Sequence, residues 1–262
     1  MSGLERLRRW RDEDRGVPPA VGRLGARLED VGPGTTAVRL PLTPELLLPD
    51  GRPSGAVTSL LADVALTTSV IASLPDLRGV TTVVLTVDHL ALPPTSGSLV
   101  SRCTAAAYDG DRPQHAAGAL FDDTGRQVAA VSGWFLAAPA EAASVERVGL
   151  VEEPAAAHLL DLLGVAAGPR FELAARDALS NALGTLHGGI GALAAQLAAE
   201  AALETDLRPL LSTFAYLRPT PRDGTVTVEG AVVRSGRRTG AAAATVTGPD
   251  GRTVLTSSLV VG

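Results

Sequence analysis

The chain has 262 residues, of which 23 are basic and 28 are acidic, so its formal net charge is −5. This length suits one large domain or two small ones and is ample for a buried core. The acidic balance argues against nucleic acid and against an anionic membrane as the main partner, and the single cysteine, Cys103, excludes an internal disulfide and a multi-cysteine metal site.

Neither a secretory signal nor a membrane span is predicted. The N-terminus lacks the apolar stretch of a secretory signal, and no segment offers about 18 uninterrupted, strongly apolar residues. We therefore expect a cytoplasmic protein. The scattered histidines and the lack of glycine-rich phosphate loops predict neither a metal nor a cofactor.

The first half of the chain predicts one long buried helix between short strands. An N-terminal arm of residues 1–25 holds a charged surface helix at Leu4–Arg15, and a strand follows at Thr36–Leu42. From about Gly55 to Leu74, apolar residues recur with the spacing of a helix. Because this helix is apolar nearly all round, we expect a sheet to wrap it.

The strands after this helix occur twice in the chain. A shift of 126 positions places Leu85–Leu136 on Leu211–Gly262 without a gap. Each copy predicts three short strands, the first ending at a proline, with a hairpin near Gly110 or Gly236 and a second tight turn beyond it.

The second half repeats the order of the first. An Ala-, Pro- and Glu-rich join predicts an interdomain linker at residues 138–164. A strand at Arg170–Arg176 and a long apolar helix at Gly188–Leu203 then precede the repeated strands. The fold class is therefore α+β, with one unit at residues 26–137 and another at 165–262.

The sharpest local signal lies directly before the second helix, where Asn181 to Gly189 reads Asn-Ala-Leu-Gly-Thr-Leu-His-Gly-Gly. Glycines at a helix start leave the first backbone N–H groups unshielded, and these donors at the positive helix end suit an anion or an oxyanion. Asn181 is the only asparagine and would supply a side-chain amide there. The alternative is a plain glycine turn, with Asn181 forming the turn and His187 satisfied within the loop.

The pattern Asn-x-x-Gly-x-x-His-Gly-Gly resembles that of the hotdog-fold acyl-CoA thioesterases of the phenylacetate-pathway (PaaI-like) type. The resemblance covers about Leu28–Ala137 and Val165 to the C-terminus. It implies two hotdog domains in a tandem (double hotdog) arrangement, each a long central helix wrapped by a five- or six-stranded antiparallel sheet. The two units would pair side by side as a pseudo-dimer within one chain.

Each half keeps what the other has lost from the family's pattern. The family places an acid nine positions after the histidine, but Gln196 stands there in the second half. In the first half Ser54 replaces the histidine and Leu48 the asparagine, yet Asp63 supplies the acid. Most Asp residues in helices are surface carboxylates, but the neighbours of Asp63 carry no charge, which favours a functional role.

One complete site is implied, and it combines both halves. Eight residues of helix span about 12 Å, so Asp63 cannot share a site with the start of its own helix. The family builds its sites across the pair, which would join Asp63 to Asn181, His187 and Gly188. The mirror site, with Gln196 as its counterpart of the acid, should be dead.

The resemblance also implies roles for these residues. The Gly188 N–H, helped by Asn181, would polarise the thioester carbonyl, and Asp63 would activate water or attack directly. His187 would orient the loop, with Gly189 beside it. Thr67, one turn after Asp63, would hydrogen-bond the carboxylate or a water. Glu200 of the second helix aligns with Thr67. It is a candidate substitute for the missing acid, but it lies one helical turn beyond the position at which the family has that acid.

Three cations cluster in the second-half hairpin, at Arg234, Arg237 and Arg238. They form either a clamp for the phosphates of coenzyme A or a solvated hairpin tip. The matching first-half tip is acidic and would repel phosphates.

The expected function is hydrolysis of an acyl-CoA thioester, with acyl-CoA as the substrate and a homo-oligomer of the paired units as a possible assembly. Two alternatives stay open. A non-catalytic acyl-CoA- or ligand-binding protein is one, because duplicated halves readily lose activity. A hydratase or dehydratase of enoyl or hydroxyacyl thioesters is the other, although such enzymes usually carry Asp and His on one loop-helix segment, which is not found here.

Overall fold

The computed structural model describes residues 1–110, 112–138 and 153–262. The first half contains helices α1 (Gly3–Glu13), α2 (Pro19–Arg23) and α3 (Gly55–Ser73), and strands β1 (Arg27–Gly32), β2 (Thr35–Pro41), β3 (Val80–His89), β4 (Ser98–Ala105), β5 (Gln114–Asp122) and β6 (Gln127–Ala137). The second half contains helices α4 (Leu159–Leu163) and α5 (Gly188–Leu203), and strands β7 (Arg170–Ala174), β8 (Pro209–Tyr216), β9 (Thr225–Arg234), β10 (Gly240–Thr247) and β11 (Thr253–Val261).

All eleven strands belong to one antiparallel sheet, in the order β1-β2-β4-β5-β6-β3-β8-β11-β10-β9-β7. Six strands come from the first half and five from the second, as the resemblance implied. The halves join where β3 pairs with β8, with Thr86 opposite Thr213 and Val87 opposite Ser212. The 126-residue repeat carries position 86 onto 212 and 87 onto 213, so this register is that of a two-fold pair.

The core lies between the sheet and the two long helices, which pack against each other. Helix α3 is buried along almost its whole length because its residues are apolar on every side. By length and composition alone α3 is long enough to cross a membrane, but 89% of its apolar window is buried inside the protein. Its glycine-rich partner α5 is buried in the same way.

The N-terminal segment differs from the predicted surface helix. Helix α1 is present, but it buries one face through Leu7 and Trp10, which are 3% and 4% exposed. Its first residue, Gly3, lies against the C-terminal end of α3, where a side chain would collide with the Ile71 carbonyl. The arm therefore packs onto the first unit. The predicted linker falls largely on residues outside the described ones.

Candidate active site

The carboxylate of Asp63 lies against the start of the opposite helix. Asp63 sits in the middle of α3 and is 2% exposed. One carboxylate oxygen, Oδ2, is 3.5 Å from Nδ1 of His187, and it would lie 2.9 Å from a Cβ atom added at Gly188. The structure thus brings together Asp63, His187 and Gly188 from different halves of the chain.

The environment of Asp63 makes its carboxyl group a stronger base than an exposed one. Burial raises the pKa of Asp63 above its ordinary value. The Thr82 hydroxyl opposes this shift by donating a hydrogen bond of 2.6 Å to Oδ1, and the Gly189 N–H opposes it as well. Thr82 also holds the carboxylate in one orientation.

His187 is the N-cap of α5 and is 8% exposed. Its Nδ1 atom accepts a hydrogen bond of 3.0 Å from the Gly189 N–H. Burial lowers the pKa of His187, and the charge of Asp63 opposes this shift. Because Nδ1 accepts the Gly189 N–H, the proton of the neutral ring is on Nε2. Because Nδ1 acts as an acceptor, its contact with Asp63 is not an ion pair. His187 therefore caps the start of α5.

The peptide of Gly188 presents a free donor to the pocket. Its N–H opens α5 and donates to no partner among the described residues, and it lies at the positive end of the helix. The Tyr216 hydroxyl donates a hydrogen bond of 3.1 Å to the Gly188 carbonyl and so holds the next peptide, between Gly188 and Gly189. Burial, and the nearby Asp63 charge, raise the pKa of Tyr216 well above its ordinary value.

A cavity of about 310 Å³ opens in front of Asp63 and Gly188. The Thr67 side chain lines it, one turn after Asp63, and its hydroxyl oxygen is buried with no hydrogen-bond partner among the described residues. Thr67 therefore does not bond the carboxylate and is free to bind a water or a substrate. Apolar side chains cover part of the wall: Val80, Leu136, Leu217, Val246 and Val254.

Asn181 lines the cavity but uses its side chain within its own turn. Its Nδ2 donates to the Thr185 hydroxyl at 2.8 Å, and its Oδ1 accepts from the N–H groups of Leu183 at 2.9 Å and Thr185 at 3.1 Å. These bonds stabilise the loop that precedes the helix start. The side chain thus makes the turn that was its alternative role, and its oxyanion role stays a prediction.

The three hairpin arginines do not reach this cavity. Arg234, Arg237 and Arg238 are exposed between β9 and β10, near the end of β8 that begins at Pro209, whereas Asp63 faces the end at Tyr216. These residues do not line the Asp63 cavity, and their role as a clamp for the phosphates of coenzyme A stays a prediction. The cation that does line the cavity is Arg218, whose Nη1 also donates to the Thr253 carbonyl at 2.7 Å.

Sequence reasoning missed Thr82, Tyr216 and Arg218 because none lies in the glycine-rich motif. The repeat aligns Tyr216 with Leu90 of the first half. This difference between the two copies was the one sequence feature that set Tyr216 apart. Across residues 1–110, 112–138 and 153–262, no group of three or more potential metal ligands occurs.

Two comparisons with known proteins relate the chain to thioesterases. The family model of the acyl-CoA thioesterase N-terminal domain matches residues 177–262, about a third of the chain. The matched part includes Asn181, His187 and Gly188, but not Asp63. No curated protein matches the chain in sequence.

Several solved thioesterase structures are similar to the whole chain. An acyl-ACP thioesterase from Bacteroides thetaiotaomicron is 11% identical with a TM-score of 0.59, covering 87% of this chain and 98% of its own. The acyl-CoA thioesterase II of Mycobacterium marinum is 12% identical with a TM-score of 0.58, covering 92% and 96%. The 12:0-ACP thioesterase of Umbellularia californica is also 12% identical, with a TM-score of 0.58 and coverage of 86% and 94%. At these identities the likeness shows the fold, which is α+β with two paired hotdog domains in one chain.

Proposed function

We propose that the protein hydrolyses acyl-CoA thioesters in the composite cavity of Asp63 and Gly188. The carrying observation is the buried Asp63 carboxylate of α3, held within contact distance of the open start of α5. In this proposal Asp63 is the base and the Gly188 N–H is the donor, and both face a cavity of about 310 Å³. The thioesterase family match over residues 177–262 supports the same reaction class.

In the first step of the proposed reaction, the thioester carbonyl oxygen accepts a hydrogen bond from the Gly188 N–H. A water between Thr67 and Asp63 gives a proton to the carboxylate while its oxygen attacks the carbonyl carbon. The negative charge that develops on the carbonyl oxygen is stabilised by the N–H and the positive helix end. Collapse breaks the carbon–sulfur bond, and Asp63 returns the proton to the leaving thiolate, which gives a free acid and a thiol.

Direct attack by Asp63 is the second route open to this geometry. It would form an anhydride between the carboxylate and the acyl group, which water then hydrolyses. A single turnover in ¹⁸O-labelled water separates the routes. With excess enzyme, direct water attack puts the label into the acid product. First-turnover acid without the label, together with ¹⁸O in the Asp63 carboxylate, would show an anhydride that water opens at the Asp63 carbonyl.

The choice of acyl-CoA rests on the family match and on two features of the cavity. The apolar wall suits an acyl group, and the Arg218 guanidinium near the cavity suits a phosphate. Thiol release from a panel of acyl-CoAs of different chain length and ring content would test the class. Hydrolysis of acyl carrier protein thioesters alone would contradict the CoA assignment.

The Asp63→Asn variant tests the base. The change is nearly isosteric but removes the proton acceptor, so we expect turnover to fall by roughly 10²–10⁴-fold. Thiol release measures it, and Asp88→Asn, which alters an exposed carboxylate of β3, is the matched control. Near-normal hydrolysis by Asp63→Asn would reject the assignment, and turnover of an enoyl thioester to a hydroxyacyl thioester would favour a hydratase.

A further inference from the structure

We propose that the mirror cavity of the Asp63 site binds an amphiphilic amine, with an aliphatic chain in its apolar part and the amino head at Glu200. This second site is not hydrolytic. The inference goes beyond the proposed function and does not depend on it.

The mirror cavity lies at the start of α3, where the pseudo-two-fold pairing predicts a counterpart of the Asp63 cavity. Its volume is about 610 Å³, against about 310 Å³ for the Asp63 cavity. It lies at the start of α3 and along the C-terminal part of α5, and Ser54, Gly55, Leu197 and Glu200 are in its wall. Further apolar side chains line it and suit a hydrocarbon chain: Leu92, Leu160, Phe171, Leu207 and Val261.

The polar end of the cavity is a carboxyl group held by two donors. Gln196 donates from Nε2 to one Glu200 oxygen at 2.8 Å, and the Ser54 hydroxyl donates to the other at 3.3 Å. The Gln196 carbonyl oxygen in turn accepts from the Ser59 hydroxyl at 2.6 Å. Gln196 and Ser54 are 1% and 2% exposed. A carboxylate can accept more hydrogen bonds than these two, so Glu200 offers acceptor capacity to a ligand.

The charge of the cavity favours a cationic head. Four carboxyl groups and two guanidinium groups line it: Asp50, Glu200, Glu204, Asp206, Arg52 and Arg208. Arg52 is paired with Asp50 at 2.6 Å, which leaves three acids against Arg208 in the wall itself. The hairpin arginines Arg234, Arg237 and Arg238 lie near the Pro209 end of β8 but do not line the cavity. An ammonium group donating to Glu200 would meet this excess of negative charge.

The same features disfavour an acyl thioester. The Glu200 carboxyl stands beside Ser54, at the helix start where a thioester oxygen would have to bind. Two acceptor oxygens would then face each other, and the acidic side chains of the wall would repel the phosphates of coenzyme A. The cavity therefore suits a ligand other than the proposed substrate.

Calorimetric titration with octylamine, octanol and octanoate tests the proposal, because these probes differ only in the head group. We expect octylamine to bind at one per chain, octanol more weakly and octanoate weakest. Glu200→Gln keeps the shape but removes the charge, and it should weaken octylamine binding by about 10–100-fold, the effect of a charge-assisted hydrogen bond. Asp63→Asn should leave octylamine binding unchanged.

Two further outcomes decide the location. Ala201 lines the cavity on α5, so Ala201→Trp should block all three probes, with circular dichroism as the check on folding. Loss of octylamine binding in Asp63→Asn would place the amine in the other cavity and overturn the proposal. Octanoate binding at least as tightly as octylamine, or an unchanged affinity in Glu200→Gln, would overturn it as well.

Discussion

At the residue scale, the contact between Gly188 and Asp63 leaves no space for a side chain. A Cβ atom at position 188 would lie 2.9 Å and 3.2 Å from the two carboxylate oxygens. The absence of a side chain at this helix start thus allows the base and the N–H donor to come together. His187 and Tyr216 hold the same peptide from either side.

The Gly188→Ala variant tests this contact. The added methyl group should push the carboxylate away from the helix start, and a displacement of about 1 Å costs roughly 10²-fold in turnover. Gly191→Ala is the matched control, because a Cβ atom there would meet Leu255 at an ordinary 3.5 Å. Equal kcat values for both variants would show that the close approach has no catalytic importance.

Asn181 offers a test between two roles of one amide. If its side chain only closes the turn, Asn181→Asp should retain turnover, because the carboxylate still accepts the Leu183 and Thr185 N–H groups. Asn181→Ala should lower both the melting temperature and turnover. A loss of 10²-fold or more in Asn181→Asp, with the fold intact by circular dichroism, would restore the oxyanion role.

The sequence predicts part of this site well and part of it poorly, for physical reasons. His187, Gly188 and Asp63 have fixed spacings from helix starts, and those spacings survive in the chain. Thr82 and Tyr216 come from strands whose twist and register place them there, and no local pattern encodes that. The role of Asn181 cannot be decided from the sequence, because an asparagine has the same local chemistry in a turn and in an oxyanion site.

At the element scale, the central junction between β3 and β8 contains a buried histidine. His89 is 6% exposed, and its Nε2 lies 2.9 Å from the Ser212 hydroxyl. Its other nitrogen, Nδ1, is buried with no partner among the described residues. Burial lowers the pKa of His89 to about 4, so the His89 ring is neutral in the folded protein near neutral pH.

Protonation of His89 should destabilise the protein in acid. The folded pKa is below that of an unfolded histidine, so the unfolded chain binds more protons, and stability is lost as the pH falls from about 6.5 to about 4. The loss is on the order of 3 kcal/mol in the free energy of unfolding. Urea unfolding at several pH values measures it.

The control for this prediction is His89→Gln, which keeps a polar side chain without a titration. Burial raises the pKa of Glu200 to about 7, and this shift adds stability as the pH falls. The contribution of His89 is therefore the difference between the stability profiles of the unsubstituted protein and of His89→Gln. The pH dependence should be flatter in His89→Gln. Parallel profiles for both proteins would contradict the role of His89.

The long helices were the most predictable elements, whereas each copy of the repeat forms four strands, β3–β6 and β8–β11, where three were predicted. The bounds of α5 match the prediction at both residues, and α3 ends one residue earlier than expected, because glycine starts and apolar periodicity mark both helices. Strand β1 was missed, since Glu29 and Asp30 interrupt any apolar alternation at this sheet edge. Its pairing with β2 is a tertiary feature that local sequence does not show.

At the scale of the whole molecule, two similar halves form two different cavities. Gly189 lets the central helices approach closely, because a Cβ atom there would lie 2.8 Å from the Leu60 carbonyl oxygen. The pairing places the acid of α3 at the start of α5, and Gln196 of α5 at the start of α3. Only the first of these contacts has a carboxylate against an open glycine peptide. The two halves are thus related by pseudo-symmetry in their fold, but the corresponding cavities carry different functional groups.

The number of acyl-CoA sites per chain tests this central claim most directly. Titration calorimetry with a non-hydrolysable acyl-CoA analogue should saturate near one analogue per chain, because, of the two cavities, only that of Asp63, His187 and Gly188 has a carboxylate against the open glycine at a helix start. The mirror cavity has Gln196 in place of the acid, and Glu200 accepts hydrogen bonds from Gln196 and from Ser54 at the start of α3. Two equivalent acyl-CoA sites per chain would contradict the account.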